Sequence, residues 1–427
     1  MHRELLDAIG DSRKKASRHE YYQEQSLLRI EQEVNRLAAL NIGARVANSE
    51  PVIDILFVTS NGAGLGHISR LLAVADKLDS SSRFEVLTLS LAYKQVASQG
   101  VTVHYFPSSE AAEETPARWN RMFRDYFAGM LSERRPRLVV FDGTWVYAGL
   151  TEMCRVMEVP LVWMQRGMWK QAVNESSVQR HDVASVADYV IIPGDFAGAE
   201  EVDTGPEVQP NYVAPIVRTD RSDLLDRESA CFELGLDPEK RYVLLNVGGG
   251  SISNPSSIAN AALRYIERLA PEMTAVQVVS PLASPDPNDS KITSVSRYPI
   301  MDCARAFDFM IAAAGYNSAQ EGVYLGVPTI LVPNRATKTD DQERRAHLLA
   351  DQGLCLVADD EDDLEDAIRQ MAIGARREEF QRNSGVLPAA TGAHESAALL
   401  KSIVDRDEWI NRRESILSST EQGDRRA

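Results

Sequence analysis

The sequence predicts an α/β protein of two successive doubly wound, Rossmann-like domains facing a cleft, with a helical segment ahead of them. Short runs that are apolar on both faces recur at helix-sized intervals, the texture of parallel strands covered on both sides. That alternation breaks once, across a stretch rich in Pro, Asp and Arg, and then restarts. Glycine-rich turns follow several of the runs, where doubly wound sheets hold their ligands. Length agrees: 427 residues, at a prior of ~150 per domain, give two or three domains, each able to bury a core. With 44% hydrophobic and 25% charged residues, the composition is globular and excludes wholesale disorder and fibrous repeats.

Residues 1–50 are polar and charged, but Leu27, Ile30, Val34 and Leu37 recur at three- and four-residue steps, which suggests an amphipathic helical extension. From Val52 the runs VIDILFVT (52–59), FEVLTL (84–89), VTVHYF (101–106), RLVVFD (137–142), VPLVWM (159–164) and DYVIIP (188–193) mark a first domain over 51–216. The break at 203–240, around NYVAPIV (211–217), reads as the interdomain linker. RYVLLNV (241–247), AVQVVS (275–280), DFMIAAA (308–314), PTILVP (328–333) and LCLVA (354–358) then mark a second domain over 217–400. The close of the chain, polar and helical from 394 and a tail over 401–427, is placed to pack back across the linker.

Function classes narrow further on charge. Lys plus Arg at 46 against Asp plus Glu at 62 gives −16, which argues against nucleic acid as the main partner, because phosphate binding needs a basic face. No stretch approaches 18 apolar residues and the start of the chain lacks a signal-peptide core, so the expected location is cytoplasmic, with membrane contact peripheral at most. Cys154, Cys231, Cys303 and Cys355 form no CxxC pair and are expected as buried free thiols.

Four constellations carry chemistry. Gly62 to Arg70 follows the first strand and opens a helix; Gly64 and Gly66 allow a tight turn and close approach of a ligand to backbone amides. This GxGxGH segment departs from the dinucleotide GxGxxG pattern, and Glu85, near the spacing of the acidic residue such sites need, lies inside its strand. His67 falls in the first turn of the helix, where the dipole keeps the ring neutral as a general base requires. Asp142, the last residue of RLVVFD, sits at a strand's carboxyl end and could orient that imidazole, although strand-end Asp residues also cap helices. Gly248, Gly249, Gly250 and Ser251 end the first strand of the second domain in a loop able to cradle a diphosphate. Finally Gly315, Tyr316, Asn317 and Ser318 follow a strand and precede Glu321, Gly326-Val327-Pro328, Pro333-Asn334 and Asp340-Asp341-Gln342, which gathers polar groups at two neighbouring strand ends for one extended polar ligand.

GxGHxxR after the first strand, with GYNSxxExxxxGVPxxxxPN and DDQ in the second domain, resembles the two-domain GT-B glycosyltransferases that use nucleotide sugars. The likeness runs over roughly 52–375 and is greatest to the group of UDP-glycosyltransferases and the lipid-linked N-acetylglucosaminyltransferase of peptidoglycan synthesis. It implies that Glu321 holds the ribose hydroxyls, Gly248 to Ser251 and Gly315 to Ser318 the diphosphate, Asp341 with Gln342 the sugar hydroxyls, and Arg297 and Tyr298 the base. It also implies His67 as base and Asp142 as its orienting partner in an inverting, metal-independent transfer from a UDP- or dTDP-sugar to a hydroxyl acceptor, lipid-linked or a small natural product. Nucleotide sugar is then a substrate, and no cofactor or metal is expected.

Two departures bear on mechanism. Ala313 stands where the plant-type enzymes carry a phosphate-touching His and where retaining relatives carry a Glu, so another group must meet the phosphate and inversion is favoured. Asp405 and Asp407, DxD-like, read as part of a solvated helical face. Trp119, Met122, Phe123, Tyr126, Phe127 and Met130, with Arg118, Arg121 and Arg124 among them, form either a crossover helix packed on its sheet or a dock for a lipid-linked acceptor. A nucleotide-sugar hydrolase of the same architecture and a non-catalytic nucleotide-sugar-binding module are the competing functions.

Overall fold

The computed structural model describes residues 51–60, 66–91, 93–165, 167–199, 201–247, 255–278 and 293–406. The expected helix within 1–50, the glycines at 64 and 248–250, Ser251 and the tail beyond 406 lie outside these residues.

The first domain is a parallel sheet of seven strands: β1 (Ile55–Thr59), β2 (Phe84–Thr88), β3 (Val103–Tyr105), β4 (Leu138–Asp142), β5 (Leu161–Met164), β6 (Tyr189–Pro193) and β7 (Pro210–Val213). Their order is β3-β2-β1-β4-β5-β6-β7, so the chain works outward from β1, returns, and continues on its other side from β4. That reversal puts a topological switch point between β1 and β4, whose last residues, Thr59 and Asp142, are register partners. All five residues of β1 and of β4 are buried, as strands covered on both faces must be.

The second domain repeats the plan with six parallel strands, β8 (Arg241–Asn246), β9 (Met273–Val278), β10 (Thr293–Val295), β11 (Phe309–Ala313), β12 (Thr329–Val332) and β13 (Leu356–Val357), in the order β10-β9-β8-β11-β12-β13. Its switch point lies between β8 and β11, the strands ahead of the two glycine turns.

One feature differs from the sequence reading, and a second bears out its expectation that the close of the chain packs back across the linker. The run NYVAPIV, assigned to the linker, supplies β7, which pairs with β6 from Val190↔Pro210 to Pro193↔Val213. The helix Gly392–Val404, which follows the second series in sequence, packs into the first domain: Ala393, Ala397, Leu400 and Ile403 join Ile55, Leu71, Val140 and Ile191 in one core. Gly392 permits that return, since a Cβ there would lie 1.9 Å from the Ala214 carbonyl oxygen.

The aromatic stripe resolves as a crossover helix, Pro116–Arg134, capped by the Thr115 hydroxyl. Trp119, Phe123, Phe127 and Met130 are buried in the core of the first domain, and Trp119 and Phe123 meet the Phe106 and Tyr147 rings, while Met122 stays 40% exposed. All four cysteines are buried and free. Asp405 is exposed and pairs with Lys401. No helix among the described residues is long and apolar enough to cross a membrane.

Candidate functional site

Helix Gly66–Ala75 starts after β1 and buries one face on the sheet through Ile68, Leu71, Leu72 and Ala75. The same packing turns His67, 9% exposed, toward the end of β4, where Asp142 is completely buried. The two residues, 75 positions apart in sequence, meet at 2.7 Å between Nδ1 and an Asp142 oxygen. Arg70, one turn further along, closes a fork on the same carboxylate, Nε to Oδ2 at 2.7 Å and a terminal nitrogen to Oδ1 at 2.6 Å. Burial alone would push the Asp142 carboxyl up; the charges of Arg70 and His67, with their hydrogen bonds, overcome it and hold the group below the ordinary carboxylate range. An ionised Asp142 fixes the proton of a neutral imidazole on Nδ1, which places the ring's lone pair on Nε2.

The second domain presents helix Tyr316–Tyr324, with Gly315 as its N-cap residue. Asn317 Nδ2 donates to the Gly66 carbonyl at 2.9 Å, which sets the N-terminal turns of the two helices side by side. Arg70 lies over the Tyr316 ring at 5.2 Å and Arg345 approaches the same ring at 5.9 Å. The Tyr316 hydroxyl donates to the Gly194 carbonyl at 2.8 Å and accepts from the Ile216 amide at 3.0 Å, so this side chain ties the motif to the end of β6 and the connection after β7. Burial raises its pKa well above the usual phenol value.

Glu321 follows on that helix, partly buried, with Oε1 accepting from the Arg218 amide at 3.4 Å. Burial pushes its carboxyl up to about 7, against the pull of Arg218. Arg218 joins the domains: it reaches Asp76 at 3.2 Å and Gln99 at 2.6 Å, and lies over the Tyr298 ring at 5.1 Å. Tyr298 in turn shares a 2.5 Å hydrogen bond with Ser69. Arg297 instead pairs with Glu233 at 2.8 Å.

Asp341 caps helix Gln342–Asp351 through the Arg344 amide, and its own amide donates to the Met168 carbonyl of the first domain. Gln342, 6% exposed, accepts from the Asn334 amide at 3.0 Å and donates to Asp340 at 3.2 Å. Its amide nitrogen lies 3.7 Å from where a Cβ on Gly315 would sit, so the two motif segments adjoin.

The structure thus gathers His67, Asp142, Gly66, Tyr316 and Asn317 at one seam, with Glu321 one turn on, Ser318 between, and the Asp341-Gln342 segment at the neighbouring strand end. Sequence reasoning quoted Arg70 within its motif without assigning it a role, and missed Arg218 and the buried group Asp195, Gln320 and Arg345. Arg345 donates to Asp195 at 2.7 Å and pairs with Asp340 at 3.0 Å, and Gln320 donates to Asp195 at 2.6 Å. The spacing of Arg70 from His67 was the one available signal, since a third residue along a helix shares the first one's face.

Residues 288–396 match the glycosyltransferase family 28 C-terminal domain. A UDP-N-acetylglucosamine–N-acetylmuramyl-(pentapeptide) pyrophosphoryl-undecaprenol N-acetylglucosamine transferase of Bacteroides fragilis is 23% identical over 241 residues, 54% of this chain and 60% of that enzyme. The match therefore spans about three fifths of the length of the curated relatives. Among solved structures, the spinosyn forosaminyltransferase SpnP superposes with a TM-score of 0.55 at 17% identity, over 83% of this chain and 100% of that one. The Acinetobacter baumannii MurG superposes at 0.52 and 14% identity, over 82% and 99%. Those two likenesses carry the two-domain GT-B fold, and residues 288–396 carry the match to the glycosyltransferase family 28 C-terminal domain.

Proposed function

We propose that the protein is an inverting, metal-independent transferase that moves a sugar from a nucleotide-diphosphate sugar, UDP- or dTDP-linked, to a hydroxyl acceptor. The observation that carries this reading is the 2.7 Å His67–Asp142 pair at one switch point, facing the Asn317 helix of the other domain. In the reaction, the acceptor oxygen bonds to the anomeric carbon on the face opposite the nucleotide while the bond from that carbon to the diphosphate oxygen breaks. His67 Nε2 takes the acceptor proton, and Asp142 stabilises the imidazolium that forms. Two helix N-termini meeting at Asn317 and Gly66 supply backbone amides and dipoles for the departing diphosphate, which supports chemistry without a metal.

Glu321 is the ribose ligand in this reading, and Arg297 and Tyr298 belong to the base end of the site. Gly248 to Ser251, Gly64 and Gly66 serve the phosphates, with Asp341 and Gln342 shaping the sugar end. The acceptor is a hydroxyl of a lipid-linked or small natural-product molecule, in line with the named acceptor of the Bacteroides fragilis relative and with the spinosyn enzyme. The protein works as a cytoplasmic or peripherally membrane-bound enzyme without a further cofactor.

The test is nucleotide release from UDP- and dTDP-sugars with and without candidate acceptors, on wild type and His67→Ala. Acceptor-dependent release that the variant loses is the expected result. Release at a rate no acceptor alters would make the protein a nucleotide-sugar hydrolase, with water in the acceptor's place.

A further inference from the structure

Away from the seam, the second domain has a cavity of about 570 Å³ beside the Tyr324–Val327 turn and helix Gly374–Gly385. Arg221, Arg227, Arg241, Arg305 and Arg377 line it, against the carboxylates Asp308 and Glu378. Such a concentration of positive charge stands out in a chain of net charge −16. Among the described residues only Arg227 of these five has a carboxylate within 4.0 Å, Asp308 at 3.5 Å.

A purely structural reading is that the guanidinium groups tie down carbonyls. Arg221 donates to the Tyr324, Ser384 and Leu387 carbonyls, Arg227 to those of Pro238, Lys240, Arg305 and Ala306, and Arg377 to those of Met371 and Ala372. Those bonds fix the inner three groups in place, and of the three only Arg227 also meets a carboxylate, so Arg221 and Arg377 keep their charge without an ion-pair partner among the described residues. For Arg377, burial outweighs the attraction of Asp308 and Arg241 adds repulsion, so its pKa falls below the usual guanidinium value. Arg241 and Arg305 are exposed at the rim and their side chains make no hydrogen bond among the described residues, so carbonyl capping does not explain them.

We infer that this cavity is a second ligand site, which takes a free small molecule bearing two or more phosphate groups. Planar guanidinium forks match phosphate oxygens, and three held in position with two at the rim suit several phosphates rather than one. The volume is that of a small-molecule pocket. The site is separate from the proposed donor cleft: it adjoins the C-terminal end of helix Tyr316–Tyr324, whereas Asn317 stands at the other end, and nine helical residues span about 13 Å. Arg221, stacked at 4.3 Å on the Tyr324 ring, ties the cavity to the C-terminal end of that helix. The inference does not depend on the transfer reaction.

Hydrogen–deuterium exchange of the full chain with inorganic pyrophosphate and tripolyphosphate, at low salt, tests it. The expected result is slowed exchange across 374–385, with binding at least tenfold weaker in R241Q/R305Q and weaker again as salt rises. The double variant removes only rim side chains and keeps every carbonyl tie, and R241Q alone gives an intermediate loss if the double variant is unstable. Slowed exchange confined to 315–321, none at 374–385, or unchanged binding in the variants overturns the proposal. Binding to phosphatidylglycerol vesicles with no response to either polyphosphate does the same.

Discussion

Glu321→Gln separates the two demands placed on the proposed ribose ligand. Burial holds the Glu321 carboxyl at about 7 against an ordinary 4.5, so the folded chain binds a proton that the unfolded chain has released between those values. Stability from this group is therefore greatest at and below about pH 4.5, falls as pH rises through the window, and levels off above about 7. At ~1.4 kcal/mol per pH unit, the ionised group costs the folded state at most about 3 kcal/mol at pH 8. Gln has no charge to desolvate, so the variant should gain on wild type between pH 5 and pH 8, by several degrees in the unfolding temperature of the domain. Nucleotide binding should move the opposite way, because a ribose ligand must be ionised to accept from both hydroxyls. The variant loses about tenfold or more in affinity, and wild-type affinity falls by about fivefold from pH 7 to pH 6. The assay is thermal unfolding from pH 5 to 8, with and without UDP and dTDP. A variant whose stability difference from wild type is the same at both ends of that range would refute the burial argument; unchanged nucleotide affinity would refute the ribose assignment.

Other perturbations follow from the same geometry. His67→Ala should lower acceptor-dependent turnover by about 10²-fold or more with little change in nucleotide affinity, read as kcat against the nucleotide-induced thermal shift. Arg70→Gln removes the guanidinium that shares the Asp142 carboxylate with His67 and so favours the imidazolium, and the acid limb of the kcat/KM profile should move to higher pH; an equal loss of rate at every pH would mean Arg70 only holds the fold. Gly392→Ala drives a methyl against the Ala214 carbonyl and should cost about 2 kcal/mol or more, or detach the returning helix, seen as a lower unfolding temperature and new proteolytic cleavage near 392–404.

Much of this arrangement was legible because it follows from local rules. Strands buried on both faces read as continuous apolar runs, and β1, β4, β8, β11 and β12 fall inside the runs that named them. The end of such a strand is where a doubly wound sheet puts its ligand groups, so Asp142 and the Gly315 turn could be nominated from position alone. What could not be read was partnership. Nothing in a separation of 75 residues says that His67 meets Asp142; strand order does, by bringing β4 beside β1. β7 was hidden because it is four residues long, starts on Pro210 with Pro215 just beyond it, and lies at a sheet edge, where half-exposed residues lose the apolar signature. Helix Gly392–Val404 was legible as a helix, but its destination depends on Gly392 fitting against Ala214, a contact between distant segments that no periodicity encodes.

The contacts at the seam also explain why base and donor motifs sit on such short helices. In Gly66–Ala75, Gly66, Ser69 and Arg70 touch Asn317, Tyr298 and Tyr316 of the second domain, while His67 turns to Asp142 in the first. One helical turn therefore carries both the interdomain contacts and the candidate base, and Arg70 belongs to both sets through its fork on Asp142 and its stack on Tyr316. Other ties reach the strand ends of the first domain directly: Arg345 donates to Asp195 at 2.7 Å and Tyr316 to the Gly194 carbonyl at 2.8 Å, so the second domain is held both through this turn and through the end of β6.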